Sequence, residues 1–481
     1  MKKFLMVLAA IAATFVIVPA ANAVQIGVST TEDTYGGSAG SCSLREAITA
    51  AQTNAAFDGC PAGSGVDVVR VPGGEYKITR AGAGENANLT GDFDVTGTDA
   101  LSIEAADSNA KVTVNGNGLD RVFDQQGNNA LSINFLHVTN GLLTLIEDGG
   151  GIRNSTGALS VNSITVSNSK SAFSAGGIAV YSNMSMINST VSGNSADGNA
   201  GGVYAPGGSS VTVRSSTITK NTADADATGN GEGGGFNDSG STSVNFFNVI
   251  NAANADLSPV DKTPDCSSGP TFFPRYVVTT QALGAGDCLV GFNPPGQNKV
   301  VADALIGPLK DNGGQTPTHA LLEGSPAIGA GADGAVPLDA CPALDQTGRT
   351  RPAGSCDVGA VQYVEPVPPV SVSVKITKVK PKVLKLKRGK KAKAVSVTVS
   401  TVGAPAALNT KLCLKPNKKV RKSLKFKGKL CRNLGTLVGA KTVKFKVAAK
   451  KKAKKKTFKV KAVLSATDAT TRSKPVKVKV K

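Results

Sequence analysis

Residues that could carry chemistry fall within one stretch of this 481-residue chain. They are three acids, one histidine and one arginine: Asp311, His319, Asp345, Arg351 and Asp357. A polysaccharide hydrolase needs two or three close carboxylates, and general base catalysis needs a positioned basic side chain. The same side chains also suit turn hydrogen bonds and an ion pair. We expect this structural role, because the residues stand in the motifs that close the strand-rich part of the chain.

A second stretch, residues 224–232, is similar to a calcium loop. Asp224 and Asp226 supply oxygen ligands at alternate positions, and Gly229 permits a sharp turn. Thr228 stands at the third ligand position, however, and Glu232 is out of register with the bidentate glutamate of the full loop. We therefore predict no metal at this loop, and no cofactor elsewhere.

The third feature is charge. Residues 371–481 hold 36 of the 54 basic residues and one of the 34 acidic residues, so they carry +35 and the rest of the chain −15. Lysines on strands protect sheet edges from aggregation, but +35 exceeds what solubility requires. We expect this region to bind an anionic polymer such as a teichoic-type polymer or acidic polysaccharide, and not to recognise nucleic-acid sequence. The densest lysines are Lys450, Lys451, Lys452, Lys454, Lys455 and Lys456.

A five-fold repeat must position these groups. Its equivalent apolar residues are Val138, Val166, Val191, Ile218 and Val249, and Gly-rich steps separate the copies. The phrase alternates apolar with Ser, Thr and Asn, which favours short strands over helical repeats. A period near 27 residues predicts a right-handed parallel β-helix over residues 66–364, with an irregular segment at 252–300 and a closing segment at 301–364.

Residues at equivalent positions of successive predicted coils should stack on one another in ladders. Those predicted to point inward after the glycines are Ile152, Ile178, Val203 and Phe236. Two polar ladders are predicted as well, one containing Thr139, Ser167, Ser192 and Thr219, the other Asn194 and Asn221. In the second ladder, side-chain amides can bond to each other and to turn backbone.

The remaining segments complete an all-β architecture. Val–Lys and Leu–Lys alternation over residues 371–481 predicts a small antiparallel β-sandwich of immunoglobulin-like outline. Residues 365–370 are Pro-rich and predict a stiff linker. Residues 1–23 have a basic start, an apolar run and a small-residue cleavage site, as a secretory signal peptide does. We expect no transmembrane segment and a secreted location.

Eight cysteines in an exported chain indicate disulfides. They fall as sequence neighbours: Cys42 and Cys60, Cys266 and Cys288, Cys341 and Cys356, Cys413 and Cys431. Nearest-neighbour pairing is our prediction, although eight cysteines allow 105 connectivities. Metal binding is disfavoured by the absence of any CxxC spacing and by the presence of only two histidines.

An N-terminal cap is predicted over residues 24–65. Ser43 and Glu46 form a Ser-x-x-Glu capping box, and Leu44, Ala47 and Ile48 fall on one helical face. A short amphipathic helix can cover the open end of the first coil, where apolar core and strand edges would otherwise be exposed. The alternative gives Arg45 and Glu46 a catalytic role, which their adjacent positions on a helix disfavour.

The string Cys42-Ser-Leu-Arg-Glu-Ala47 resembles the motif that names the CSLREA-domain secreted proteins. Further stretches that resemble this family are 119–123, 311–322, 324–328, Cys341-Pro and 356–360. The resemblance covers roughly residues 24–364. It implies a right-handed parallel β-helix of the pectate-lyase-like type in a bacterial surface or secreted protein. It implies no single activity, and a Lys-rich domain stands where the family's usual anchoring signal is expected.

Together these observations predict a non-enzymatic, cell-wall-associated or cell-surface protein with an adhesive or structural role and a basic anchoring domain. Opposite charges on its two parts also permit self-association. The alternative is a polysaccharide lyase or hydrolase on the same β-helix. No lyase signature is present, and the chain has no Trp to stack on sugar rings. Three or more carboxylates in one outer groove would favour the enzyme, whereas a groove lined by Ser, Thr, Asn and Gly would favour binding.

Overall fold

The computed structural model describes residues 23–37, 40–144, 146–229, 231–241, 243–259, 262–267, 269, 272–282, 297–332, 340–352, 354–365, 373–402, 407–466 and 469–481. The chain folds into two compact units, Met1–Val364 and Glu365–Lys481. The signal peptide (except Ala23), residues 366–370 of the linker, and Cys288 lie outside the described residues. Within the described part, no helix is long and apolar enough to cross a bilayer.

The first unit is a parallel β-helix with three long sheets, as its repeat predicts. Each coil passes through the first, second and third sheet in turn. The first sheet contains Val24–Gly27, Asp67–Val71, Leu101–Ala105, Leu131–Asn134, Ala158–Asn162, Asn183–Ile187, Ser210–Arg214, Ser243–Phe247 and Phe272–Arg275. The second contains Gly74–Lys77, Val112–Asn115, Leu136–Thr139, Thr165–Ser167, Thr190–Ser192, Thr217–Thr219, Ile250–Ala252, Val278–Thr279 and Lys299–Val300.

The third sheet closes each coil before the chain returns to the first. It contains Phe93–Val95, Phe123–Gln125, Ile152–Asn154, Ile178–Val180, Val203–Pro206, Phe236–Ser239 and Cys266–Ser267. Five two-residue strands form a corner sheet between the second and third sheets. They are Leu142–Leu143, Lys170–Ser171, Ser195–Ala196, Thr222–Ala223 and Ala255–Asp256.

The corners explain why this sequence coils. In successive coils, one residue in the left-handed conformation joins the first sheet to the second: Phe135, Ser163, Asn188, Ser215, Asn248 and Tyr276. The glycine steps serve a different need, the close approach of neighbouring coils. A Cβ on Gly177 would lie 2.4 Å from the carbonyl oxygen of Gly202. Glycine is therefore required there by contact between backbones.

Strand register confirms the predicted ladders, with one exception. Thr139, Ser167, Ser192 and Thr219 are opposite one another in adjacent strands. Asn194 Nδ2 donates to Asn221 Oδ1 at 3.0 Å, and Asn221 Nδ2 donates to Asn254 Oδ1 at 3.0 Å. The prediction for the fifth repeat is wrong, because Asn251 and not Val249 pairs with Ile218. The coil that joins Thr217–Thr219 to Ile250–Ala252 is longer than the repeat in the sequence suggested.

The predicted irregular segment at 252–300 is also wrong for the residues that the structure describes. Phe272–Arg275 pairs in register with Ser243–Phe247, and Cys266–Ser267 extends the third sheet. The physical reason is apolar packing: the Phe272 ring lies 4.9 Å from Phe246 and 6.0 Å from Phe236 between ring centres. Prolines in this segment obscured another coil.

The predicted capping helix is present at Leu44–Thr53. Ser43 accepts from the Glu46 backbone at 3.1 Å, and Glu46 accepts from Ser43 at 2.9 Å, which completes the capping box. Arg45 is fully buried, and its guanidinium pairs with Asp33 at 2.7 Å. Arg45 and Glu46 thus hold the cap in place, because one binds the preceding loop and the other the helix's own N-terminus.

The closing segment lies lengthwise along one corner of the β-helix, and we call residues 301–364 the strap. It includes the antiparallel strands Ile306–Lys310 and Thr318–Leu321. Its contacts with successive coils run from Lys111, which meets Asp311, to Asn248, which accepts from the backbone of Ala332. The strap therefore braces the side of the helix over several coils, a role that the sequence did not indicate.

One buried amide fixes the strap near its middle. Gln346 Oε1 accepts from Thr190 Oγ1 at 2.6 Å, and its Nε2 donates to Ile164 O, Thr165 Oγ1 and Thr316 Oγ1 at 2.9–3.0 Å. Every hydrogen-bonding atom of this amide has a partner, as a buried polar group requires.

The second unit is a β-sandwich, as predicted. One sheet contains Ser373–Lys380, Lys393–Val402, Ala440–Ala449 and Leu424–Lys427. The other contains Val383–Leu386, Ala469–Val480, Thr457–Ala466, Ala407–Lys415 and Cys431–Leu437. A short helix, Lys418–Ser423, precedes Leu424. The alternate apolar residues form a separate buried core between the sheets, which explains the period-2 pattern.

Three of the four predicted disulfides are confirmed. They join Cys42 to Cys60, Cys341 to Cys356, and Cys413 to Cys431. The pairing of Cys266 with Cys288 stays a prediction, because Cys288 lies outside the described residues.

Candidate functional site

The histidine and the first aspartate of the strap lie in different surroundings. Asp311 is exposed and pairs with Lys111 at 2.5 Å, and this hydrogen bond lowers the pKa of Asp311. His319 is buried between Ser192 Oγ, 2.8 Å from Nε2, and the carbonyl oxygen of Gly307, 2.7 Å from Nδ1. Burial lowers the pKa of His319 to about 4. The carbonyl requires Nδ1 to carry the proton, so Nε2 accepts from the serine.

The other three strap candidates are engaged with nearby backbone. Asp345 accepts from Thr347, Arg349 and Gln362 backbone nitrogens at 2.7–2.9 Å. Arg351 donates to the carbonyl oxygens of Asp357 and Gly359 at 2.8–3.0 Å. The Asp357 carboxylate in turn accepts from Gly329 N at 2.7 Å and from Tyr363 N at 2.5 Å. These interactions account for the five strap residues as structural side chains.

The calcium-like loop brings together two of its three carboxylates, because Asp224 and Asp226 both accept from Thr228 N, at 3.1 and 3.3 Å. Asp224 accepts from Gly229 N at 2.9 Å, and Asp226 accepts from Thr228 Oγ1 at 3.0 Å. Glu232 instead accepts from Ser267 Oγ at 2.8 Å. The turn is thus built by local hydrogen bonds, and its glutamate reaches another segment.

The five-stranded sheet of the sandwich presents a regular array of exposed lysines. Adjacent strands place lysine directly opposite lysine in three pairs: Lys385 with Lys479, Lys459 with Lys477, and Lys415 with Lys461. We call these six residues the lysine face. Like charges directly opposite in a sheet are destabilising. Strand geometry sets the array at about 5 Å between strands and about 7 Å along each strand.

The predicted lysine cluster adjoins this face. Lys450, Lys451, Lys452, Lys454, Lys455 and Lys456 are exposed in the connection between Ala440–Ala449 and Thr457–Ala466. At its end, the carbonyl oxygen of Lys456 accepts from Val480 N at 3.0 Å, one residue beyond Lys479. The connection and the lysine face therefore form one continuous basic surface. The sequence showed the cluster, whereas the paired lysines required the strand register.

A buried acidic cluster was not predicted from the sequence. Asp92, Asp94 and Asp124 each offer a carboxylate oxygen within 4.8 Å of the other two. Burial, with Asp94 and Asp120 nearby, raises the pKa of Asp92 to about 9. Burial also raises the pKa of Asp94 to about 7, against the lowering by the Asn88 backbone N–H. The available signal was the repetition of Phe-Asp, at 93–94 and at 123–124, in two coils.

A surface pocket of about 310 Å³ opens near this cluster. It is lined by Ile146, Glu147, Asp148, Arg153, Ser155, Phe173 and Tyr181. The Tyr181 hydroxyl donates to the Asp148 carboxylate, and burial raises the pKa of Asp148. Glu147 accepts from Arg153 Nη1 at 2.7 Å. Two acids in different environments thus lie beside exposed aromatic rings.

A larger groove of about 600 Å³ runs along the outer face of the first sheet. Its floor is a ladder of hydroxyls in register over five coils: Ser102, Ser132, Ser160, Ser185 and Thr212. Apolar side chains, among them Leu101, Leu131, Leu159 and Met184, share the lining with these hydroxyls, so the groove is not the purely polar one expected of a binding surface. By contrast, the three clustered carboxylates are buried and do not line an open groove.

The fold and these surfaces define a parallel β-helix joined to a basic β-sandwich. Comparison with protein-family models found no matching family, and comparison with curated proteins found no match.

Proposed function

We propose that this protein is an exported, cell-surface or cell-wall-associated scaffold that attaches to anionic polymers through its C-terminal sandwich. The observation that carries the proposal is the lysine face, where three lysine pairs face each other directly. Residues 371–481 contain a single acid, Asp468, so carboxylates of this unit cannot neutralise the array. An anionic chain lying across the strands would relieve the repulsion and gain charge-assisted contacts.

Three further observations support an exported scaffold. The signal-peptide pattern and the cysteine pairing fit an oxidising compartment outside the cytoplasm. Resemblance to the CSLREA-domain secreted proteins points the same way. The six residues of that motif are all buried in the N-terminal cap, so their role there is to close the β-helix.

The polymer is best described by its charge. A tightly packed phosphate or carboxylate polymer, such as a teichoic-type polymer or a polyuronate, suits charges about 5–7 Å apart. The few aromatic side chains of residues 371–481 offer little stacking surface for bases, which disfavours sequence recognition of nucleic acid. Binding should therefore follow charge density and not monomer identity.

The test compares two variants of equal net charge. The first changes Lys385, Lys459, Lys461 and Lys477 to Gln, and the second changes Lys375, Lys378, Lys393 and Lys444, exposed on the other sheet and not opposite another lysine, to Gln. Binding to immobilised polygalacturonate and to polyphosphate is measured in 50–500 mM NaCl. We expect at least a tenfold loss for the first variant and less than a threefold loss for the second. Equal losses would show that only net charge matters, and unchanged binding would refute the lysine face.

A second candidate function is cleavage of a polysaccharide, which the pocket beside Tyr181 favours. Asp148 is buried with a raised pKa and Glu147 is partly exposed, so two carboxyl groups in different environments adjoin one pocket. Release of reducing ends or unsaturated products from a panel of glycans tests this activity. Turnover that disappears in Glu147→Gln would support an enzyme. Absence of turnover with every glycan would leave the scaffold as the proposed function.

A further inference from the structure

The buried acidic cluster has a charge imbalance. Around it lie the carboxylates of Asp92, Asp94, Asp120, Asp124 and Glu147, and two guanidinium groups, those of Arg121 and Arg153. With all five ionised, the carboxylates would exceed the cations by three. Buried charges are normally paired or bound to metal ions, because removal from water is costly. A bound cation, or protonation of the acids, would restore the balance.

The two arginines bind three of the six carboxylate oxygens of Asp92, Asp94 and Asp124. Arg121 Nε donates to Asp92 Oδ2 at 2.6 Å, and Arg153 forms two bonds with Asp124 at 2.9 and 2.5 Å. Asp94 is paired with neither arginine. Its oxygens accept from Asn88 N at 2.9 Å and from Gln126 Nε2 at 3.2 Å.

One oxygen points independently to a ligand. Asp92 is 2% exposed, and among the described residues Asp92 Oδ1 has no hydrogen-bond partner. Gln126 adds an adaptable ligand: its Nε2 faces Asp94 Oδ1 and Asp124 Oδ2. A rotation of the amide by half a turn would replace this nitrogen with the Oε1 oxygen. The donor set would then consist of oxygens alone.

Oxygen-only ligands favour hard divalent cations. Two oxygens bound across one ion can be at most twice the metal–oxygen distance apart, so bonds of about 2.3–2.6 Å let one Ca²⁺ ion bind oxygens nearly 5 Å apart. The three carboxylates meet this condition, because their oxygens lie within 4.8 Å of one another. Mg²⁺ requires near-ideal octahedral geometry, which suits this irregular set of ligands less well.

We propose that Asp92, Asp94 and Asp124 bind a structural Ca²⁺ ion, with Gln126 as a fourth protein ligand. The ion would lie where the capping helix meets the first coils, because Arg45 Nη1 donates to the carbonyl oxygen of Asp92 at 2.7 Å. It would offset two of the three excess negative charges and fix two successive coils to each other. This site is independent of the lysine face and of polymer binding.

The test uses the full mature chain freed of metal by a chelator. Titration calorimetry with CaCl₂ should give one ion per chain, with MgCl₂ binding at least tenfold more weakly. Asp94→Asn should weaken Ca²⁺ binding at least tenfold, because a charged ligand is lost. The matched control Asp226→Asn, in the calcium-like loop, should bind as the wild type does. Bound Ca²⁺ should also raise the melting temperature of the wild type and not that of Asp94→Asn.

Gln126→Glu provides a second variant should Asp94→Asn fail to fold. The added carboxylate should tighten Ca²⁺ binding severalfold and lower the melting temperature of the metal-free protein. Absence of heat with millimolar CaCl₂ would overturn the proposal. Equal Ca²⁺ binding by the wild type and Asp94→Asn, loss of binding in Asp226→Asn, or no tightening in Gln126→Glu would overturn it as well.

Discussion

Replacing Arg45 by methionine should detach the capping helix from the first coils of the β-helix. The arginine is fully buried, and its guanidinium binds Asp33 through two bonds at 2.7 and 3.2 Å. It also donates to the carbonyl oxygens of Gly91 and Asp92, each at 2.7 Å. The Arg45 guanidinium carbon lies 4.7 Å from the centre of the Phe93 ring. Methionine keeps much of the side-chain volume and removes the charge and the donors.

The expected cost follows from what the substitution leaves behind. The Asp33 side chain is 1% exposed, so Arg45→Met leaves a buried carboxylate with no cation and only the backbone N–H groups of Thr79 and Arg80 as partners. Breaking a buried ion pair in this way costs about 3–5 kcal/mol. Adding Asp33→Asn removes the stranded charge, and we expect the double variant to lose only about 2 kcal/mol. The double variant should therefore be more stable than Arg45→Met alone.

Hydrogen exchange measured by mass spectrometry gives the local free energy of opening. The loss should be greatest in peptides that cover Leu44–Thr53 and Phe93–Val95 and should fade with distance, because coils contact mainly their neighbours. Peptides that cover Ser210–Arg214 should keep their protection. Arg70→Met is the control, since its partly exposed pair with Glu104 should contribute less than 1 kcal/mol.

Two results would refute this reasoning. A loss below 1 kcal/mol in Arg45→Met would mean that the ion pair does not hold the cap. A double variant as labile as Arg45→Met would mean that the stranded charge of Asp33 is not the source of the cost.

Three further predictions concern buried polar groups. Asn221→Ala should cost about 3 kcal/mol in urea unfolding, because it strands Asn194 N and the Val191 carbonyl, whereas exposed Asn183→Ala should cost under about 0.5 kcal/mol. His319 has a folded pKa of about 4, below its usual 6.5, so its contribution to stability is complete above pH 6.5 and is lost as the pH falls towards 4. Proton NMR of the histidines should show a titration midpoint near pH 4. A midpoint near pH 6.5 would contradict the burial of His319. Asp94 has a folded pKa raised to about 7 from 3.8, so in the presence of a chelator its contribution to stability is favourable below pH 4 and is lost as the pH rises to 7. The melting temperature should therefore decline less over this pH range in Asp94→Asn than in the wild type. An equal decline in both proteins would contradict the raised pKa.

Local patterns predicted most of the fold. Alternation of valine with lysine predicted the strands of the sandwich, and the equal phases of Asn194 and Asn221 predicted an amide ladder that the structure extends to Asn254. These patterns are visible because neighbouring coils impose the same requirement on equivalent positions. The coil between Thr219 and Ile250 broke this regularity with a longer loop, so the alignment of Val249 with Ile218 was wrong.

The strap and the acidic cluster depend on contacts that sequence spacing does not reveal. Gln346 bonds to Thr190, 156 residues earlier, and nothing in either local sequence indicates the other. Asp94 and Asp124 become neighbours only when the register of two coils is known. The strap aspartates were candidate catalytic residues because they lie close in sequence, yet each accepts hydrogen bonds from nearby backbone N–H groups.

Attachment through the basic sandwich is tested most directly by retention on isolated bacterial cell walls and on polygalacturonate beads over a series of salt concentrations. The full mature chain is compared with residues 24–369. If about six lysines contact the polymer, log Kd should rise with log salt with a slope of about 4, as for single-stranded polyanions. We predict strong retention of the full chain at 50 mM NaCl, loss by 500 mM, and no retention of residues 24–369. Equal retention of both chains, or retention of the full chain at 1 M salt, would contradict the electrostatic attachment.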